Sequence, residues 1–121
     1  MRPKIRATIV CIRKAKVLLV SRDGVRWALP GGRPDKGELL LDAATRELVE
    51  ETGMKAKSLR FRHQFLGSTT VHHVFEATVS KSAEPRACNE IKLCAWFSPI
   101  DLEGMATSPT TKQIVAEALN A

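Results

Sequence analysis

With 121 residues, 44% of them hydrophobic and 26% charged, the chain fits one globular domain over residues 1–121 with one core, and nothing in it points to global disorder. Its longest apolar runs, such as Val17–Val20, are too short to span a bilayer. The basic start Met1-Arg2-Pro3-Lys4 leads into no apolar signal-peptide core, so no membrane partner and a cytoplasmic location are expected. The net charge is +6, and 15 of the 19 basic residues lie within Met1–Arg62 against seven acids there. Such a surface suits anionic partners, either phosphorylated small molecules or nucleic acid, or it is simply solubilising charge. Cys11, Cys88 and Cys94 are odd in number and form no CxxC pair, which argues against a disulfide framework or a zinc site and for small buried hydrophobes.

In chain order, Lys4–Ile12 alternates as a strand with Ile5, Ala7, Ile9 and Cys11 on one face. Arg13-Lys14-Ala15 reads as a short turn and Lys16–Ser21 as a second strand, giving a hairpin. Arg22-Asp23-Gly24 is a loop, and Trp27-Ala28-Leu29 is a short extended piece before Pro30-Gly31-Gly32. A helix is expected over Glu38 to Thr52, with Leu41, Ala44, Thr45 and Leu48 as its buried stripe and Gly53 as a left-handed cap. Leu59–Leu66 and Val71–Ser80 read as two strands joined at Gly67-Ser68. Ser82–Asn89 is polar and irregular, and Leu93–Phe97 is a strand stopped by Ser98-Pro99. Thr110-Thr111-Lys112-Gln113 resembles a capping box and opens a last helix carrying Ile114, Val115, Ala118 and Leu119. Hairpins mixed with helices, without regular βαβ units, predict an α/β fold: a mixed sheet covered by helices.

Chemistry concentrates at residues 32–54. Glu47, Glu50 and Glu51 stand at i, i+3 and i+4, within about 100° of one another on one helix face. Like charges at that spacing repel, and the macrodipole disfavours them near a helix C-terminus. A hard divalent cation would compensate, since Mg²⁺ and Mn²⁺ take oxygen ligands and bridge carboxylates to substrate phosphates. Taken alone, the three glutamates also read as a solvated acidic face with Arg46 as an ion-pair partner. Gly31-Gly32 shifts the balance, because these residues let the backbone turn sharply and approach a ligand closely. Loop amides and Arg33 or Lys36 would then meet phosphate oxygens.

Gly32, Glu38, Arg46, Glu47, Leu48, Glu50, Glu51, Gly53 and Met54, with seven residues between Glu38 and Arg46, match every fixed position of the Nudix box. The chain thus resembles the Nudix hydrolase family, as a compact member of the mutator type. Val17–Arg22, Trp27–Gly32 and Ala95–Leu102 look like the family's flanking segments. The resemblance implies an α/β/α sandwich with a mixed sheet and an enzyme dependent on Mg²⁺ or Mn²⁺. It implies Glu47, Glu50 and Glu51 as metal ligands with the Gly31 carbonyl, Glu47 or Glu50 as proton acceptor, and Arg46 as the residue orienting a glutamate. Some relatives recruit a further carboxylate from a later loop, and Glu90 is the candidate here. Glu38 is expected to stabilise the loop or assist the metal. No serine or cysteine nucleophile motif competes.

The implied reaction is hydrolysis of a phosphoanhydride in a nucleoside diphosphate linked to another moiety. The favoured substrate is a nucleoside triphosphate, normal or oxidised, cleaved to monophosphate and pyrophosphate. Alternatives are a diphosphoinositol polyphosphate, an RNA 5′ end, or a non-catalytic nucleotide-binding module. Lys55–Glu84 lacks the proline frequent in ADP-ribose cleavers, and the chain has no tyrosine of the kind found in dinucleoside polyphosphate cleavers. Substrate contacts are expected from Gly32, Arg33, Lys36, Glu38, Trp27 and Phe75. Trp27, Phe61, Phe65 and Phe75 offer faces for base stacking, but core packing is the default reading for each. His72 and His73 point to opposite faces of one strand, and one of them could line a pocket. No recognised nucleic-acid motif is present. Many relatives are dimers, but no stripe here demands a homodimer.

Overall fold

A computed structural model describes residues 2–120. β1 (Lys4–Arg13) and β2 (Lys16–Ser21) form the expected hairpin, closed by Lys14 and Ala15. Both turn residues have positive φ, 52° and 61°, which is the geometry that matches the twist of the flanking strands. β3 (Arg26–Trp27) and β4 (Gly31–Gly32) follow, then α1 (Leu40–Thr52), β5 (Ser58–Leu66) and β6 (Thr70–Thr78). β7 (Leu93–Phe97), α2 (Pro99–Glu103), β8 (Ala106–Thr107) and α3 (Pro109–Leu119) complete the chain. The main sheet runs β5-β6-β1-β2-β7, with β4 also paired to β1. The β1–β6 pair is parallel and the remaining pairs of this sheet are antiparallel.

One edge of β1 is shared. Its C-terminal end pairs with β2, and its middle pairs with β4 through Ala7–Gly32 and Thr8–Gly31. The Gly-Gly segment is thereby seated on the central strand. A Cβ on Gly31 (φ 147°) would overlap the Ala7 carbonyl, so only glycine fits there.

Alternation along the strands divides the core into two layers. Ala7, Ile9, Cys11 and Leu18 face Ala43, Ala44 and Leu48 of α1. Val10, Val17, Leu19 and Val74 face Leu102 of α2 and Ile114 and Val115 of α3. The result is a mixed sheet with helices on both faces, the α/β/α sandwich expected. No helix among the described residues is long and apolar enough to cross a membrane.

Several local expectations are corrected. Ile5 and Leu41 are 46% and 45% exposed, and Thr45 is exposed too. The helix meets the sheet through the small Ala43 and Ala44, which let it lie close. α1 begins at Leu40, because Glu38 is held in the preceding loop. Ser98-Pro99 ends β7 but also starts α2: the Ser98 hydroxyl and the Asp101 carboxylate form a reciprocal capping box. The cap of α3 is Ser108, two residues before the expected Thr110, with Pro109 at the first helical position. Of the cysteines, Cys11 is buried, whereas Cys88 and Cys94 are only partly covered.

Candidate active site

The last two turns of α1 carry Glu47, Glu50 and Glu51 to one side, and the helical period brings them to a single cavity of about 390 Å³. Arg22, Asn89, Glu90 and Ile91 complete its wall. Glu90, expected only as a candidate from a later loop, therefore does reach the glutamate cluster. Arg22 pairs with it and also approaches Glu51 at 3.5 Å.

Each glutamate has a distinct environment. Glu51 is buried, and its Oε1 accepts from the Gly31 amide at 3.0 Å. Desolvation pushes its pKa up to about 7 despite that bond and the nearby Arg6 and Arg22, and the Glu47 charge adds to the rise. Burial raises Glu47 as well, opposed chiefly by Arg46. Glu50 is more open, with a side chain 45% exposed.

Arg46 is the hub of the cluster. Its Nε and Nη2 donate to the two oxygens of Glu38, both at 2.9 Å. Its Nη1 donates to Glu47 at 2.7 Å and to Glu50 at 3.2 Å, and its Nη2 also reaches the Arg33 carbonyl at 3.2 Å. The fork on Glu38 is the bidentate geometry for which a guanidinium is suited. It lowers the Glu38 carboxyl to about 2. With the Asp35 amide also on Oε1, Glu38 fastens the loop to the helix, and both of its oxygens are engaged within the protein.

The other expected substrate contacts separate. Gly32 lies against Glu47: a Cβ there would overlap the carboxylate, so the glycine clears its space. Arg33 and Lys36 are exposed and do not line the glutamate cavity. Trp27 stacks edge-on against Phe97 at 4.8 Å and also lines a second cavity with Arg6, Arg22, Arg26 and Glu51. Phe75 follows the core-packing reading and not the substrate contact. At 4% exposure it is packed in the core beneath α1 and offers no face to a ligand. Phe61, by contrast, is 52% exposed and lies on the β5 edge.

Three contributors escaped the sequence reading. Arg6 is partly buried, donates to the Leu29 carbonyl at 2.9 Å, and is shared by the second cavity and a third. Burial lowers its pKa, while Glu51 and Glu47 oppose that shift. Arg22 was visible only as a loop residue, and Asn89 only as part of a polar stretch. Their signal was weak, because both act across long sequence separations. The third cavity, about 250 Å³, is lined by Arg6, Thr8, His72 and Ser108 among others, and the His72 Nδ1 lies 2.8 Å from the Thr8 hydroxyl. His73 faces the other way, toward Phe61, as the strand period requires.

A hard cation suits the donors of the glutamate cavity. They are carboxylate oxygens, and a cation beside the buried Glu51 would offset the desolvation that opposes its ionisation. As the side chains stand, no three carboxylate, imidazole or thiol groups among the described residues gather around one point. Glu47 and Glu50 are both engaged by Arg46, and Glu51 by Arg22 and the Gly31 amide.

Comparison with known proteins agrees with this geometry. A NUDIX domain profile matches residues 2–118. A protein of Mycobacterium tuberculosis provisionally named 8-oxo-dGTP diphosphatase 2 is 30% identical over 76% of this chain and 67% of its own. The Nucleoside diphosphate-linked moiety X motif 6 protein of Mus musculus is 32% identical over 73% of this chain, but only 31% of its own. An RNA pyrophosphohydrolase of Brucella anthropi is 64% identical over only 33 residues, 27% of this chain and 19% of its own. The chain thus spans a third or less of the length of several curated relatives that it matches. Among solved structures, a MutT NUDIX hydrolase from Burkholderia pseudomallei superposes with a TM-score of 0.77 at 25% identity, covering 97% of this chain and 98% of that one. With the three box glutamates on one cavity, a fitting sandwich and a profile match across almost the whole length, the chain belongs to the Nudix hydrolase family.

Proposed function

We propose that this protein hydrolyses a phosphoanhydride bond with the help of Mg²⁺ or Mn²⁺, and that its substrate is a nucleoside triphosphate, normal or oxidised, released as monophosphate and pyrophosphate. The observation that carries this reading is the convergence of Glu47, Glu50, Glu51 and Glu90 on one cavity beside the Gly31-Gly32 segment. Glu47, Glu50 and Glu51, with the Gly31 carbonyl, would hold the cation. When bound, a divalent ion neutralises phosphate charge and lowers the pKa of water. Glu47, Glu50 or Glu90 accepts the proton of the attacking water as the new P–O bond forms and the bridging P–O bond breaks. Arg46 holds Glu47 and Glu50 in place. The adjoining cavities around Arg6, Trp27 and His72 receive the rest of the substrate. Nucleotide hydrolysis is favoured by the relative provisionally named an 8-oxo-dGTP diphosphatase, which matches across most of the chain.

A second reading, action on a 5′-triphosphorylated RNA end, draws on the short RNA pyrophosphohydrolase match and on the cationic Arg22 and Arg26 beside the site. One panel separates the two. Nucleoside triphosphates, oxidised nucleotides, nucleotide sugars, inositol pyrophosphates and triphosphorylated RNA are incubated with Mg²⁺ or Mn²⁺. Highest kcat/KM on a free triphosphate supports the first reading, and highest kcat/KM on RNA replaces it with the second. No turnover of any member would instead indicate a binding module.

A further inference from the structure

An α-helix leaves its last four carbonyls without partners inside the helix. In α1 these belong to Val49, Glu50, Glu51 and Thr52. Only the first is satisfied nearby, by the Gly53 amide at 2.9 Å. The other three are met from a single distant loop. The Asn89 side-chain amide donates to the Glu50 carbonyl at 2.9 Å, the Cys88 amide to Glu51 at 3.2 Å, and the Arg86 amide to Thr52 at 2.9 Å. Helix and loop are therefore joined at the turn that carries two of the cavity glutamates. The loop is fixed at its far ends too, by Arg13 on the carbonyls of Ser80 and Ala83 and by Lys92 on that of Ser21.

Asn89 differs from the other two contacts. It is the one that uses a side chain, and its backbone sits in the left-handed region with φ 55°, which asparagine tolerates better than most residues. The next residue is Glu90, which faces the cavity. A left-handed residue turns the chain sharply, and its side chain anchors that turn to Glu50. We infer that Asn89 is a positioning residue: it caps the metal-site helix from outside and thereby holds Glu90 opposite Glu50 and Glu51. This rests on the role proposed for Glu90 in hydrolysis. Arg22 reaches Glu90 as well, but it is itself exposed on a loop, whereas Asn89 ties Glu90 to the helix backbone.

The test uses the full chain with N89A, N89G, E90Q and the N89A/E90Q double variant. N89G accepts the left-handed backbone but lacks the amide, so it isolates the hydrogen bond. We expect N89A and N89G each to lower kcat about two- to tenfold with KM little changed, the scale of one lost hydrogen bond. In the E90Q background N89A should add nothing, because two residues acting through one contact are non-additive. Without added metal, hydrogen exchange should speed up at the Cys88 amide in N89A and stay unchanged at Leu48. If E90Q is impaired while N89A keeps wild-type kcat and Cys88 protection, the inference is overturned and the Glu90 role survives. If N89A costs as much in E90Q as in the wild type, Asn89 is only a helix cap. If E90Q keeps full kcat, the Glu90 role fails and takes the positioning claim with it.

Discussion

Around Arg46, four carboxylates from one loop and one helix share a single guanidinium: Asp35, Glu38, Glu47 and Glu50. Around Arg6, the neighbouring cavity draws on Thr8 of β1, Leu29, Thr70 and His72 of β6, and Ser108 and Thr111 at the start of α3. The first region is dense in charge and built from residues close in sequence. The second is sparsely bonded, and only the fold assembles it. Under the proposed function, the first region would break the bond through a fixed local spacing, and the second would choose the substrate through side chains brought together from remote elements.

Substitutions on each side test that division. The largest effect is expected from E50Q, which should lower kcat by about 10²–10⁴-fold while the far-UV spectrum and Tm stay near wild type. Full turnover in E50Q would remove the chemistry from the helix.

E51Q should act on stability as well as on metal binding. Folding raises the Glu51 pKa from 4.5 to about 7, so between those values the folded chain holds more protons than the unfolded one. In EDTA-treated wild type this group's contribution to stability therefore falls as pH rises through that window. The gain of E51Q over wild type should grow with pH, reaching up to about 3 kcal/mol above the folded pKa. Urea titrations of both proteins at about pH 4.5 and about pH 8 measure the difference. A gap that shrinks with pH would show that Glu51 is not the strained carboxylate described.

R46K keeps the charge but loses the two-point grip on Glu38. Its kcat should fall about ten- to hundredfold, the usual cost of removing a residue that orients ligands. The smallest effect is expected on the other side of the division. H72A should raise KM less than about tenfold and leave kcat nearly unchanged, as loss of uniform binding does. A larger loss of kcat in H72A than in R46K would dissolve the distinction.

Legibility in the sequence followed the same line. The hairpin, the α1 cap at Gly53 and the shared face of Glu47, Glu50 and Glu51 all depend on contacts a few residues apart, and each was readable. Leu41 misled because helix period alone does not reveal that Ala43 and Ala44 set the distance to the sheet. Phe75 misled because both faces of β6 are covered, one by α1 and the other by α3, which alternation along one strand cannot show. Ser98-Pro99 stops a strand and starts a helix with the same two residues. Arg6, Arg22 and Asn89 join the site through partners 23 to 68 positions away, beyond any local pattern.

The role proposed for the α1 glutamates is to hold a divalent cation in the cavity they line. Its most direct test is a Mn²⁺ titration of EDTA-stripped wild type and E51Q at about pH 8, above the folded pKa of Glu51, followed by electron paramagnetic resonance. Saturable binding by the wild type is expected, with affinity weaker by at least about tenfold in E51Q. Equal affinity in the two proteins would contradict it.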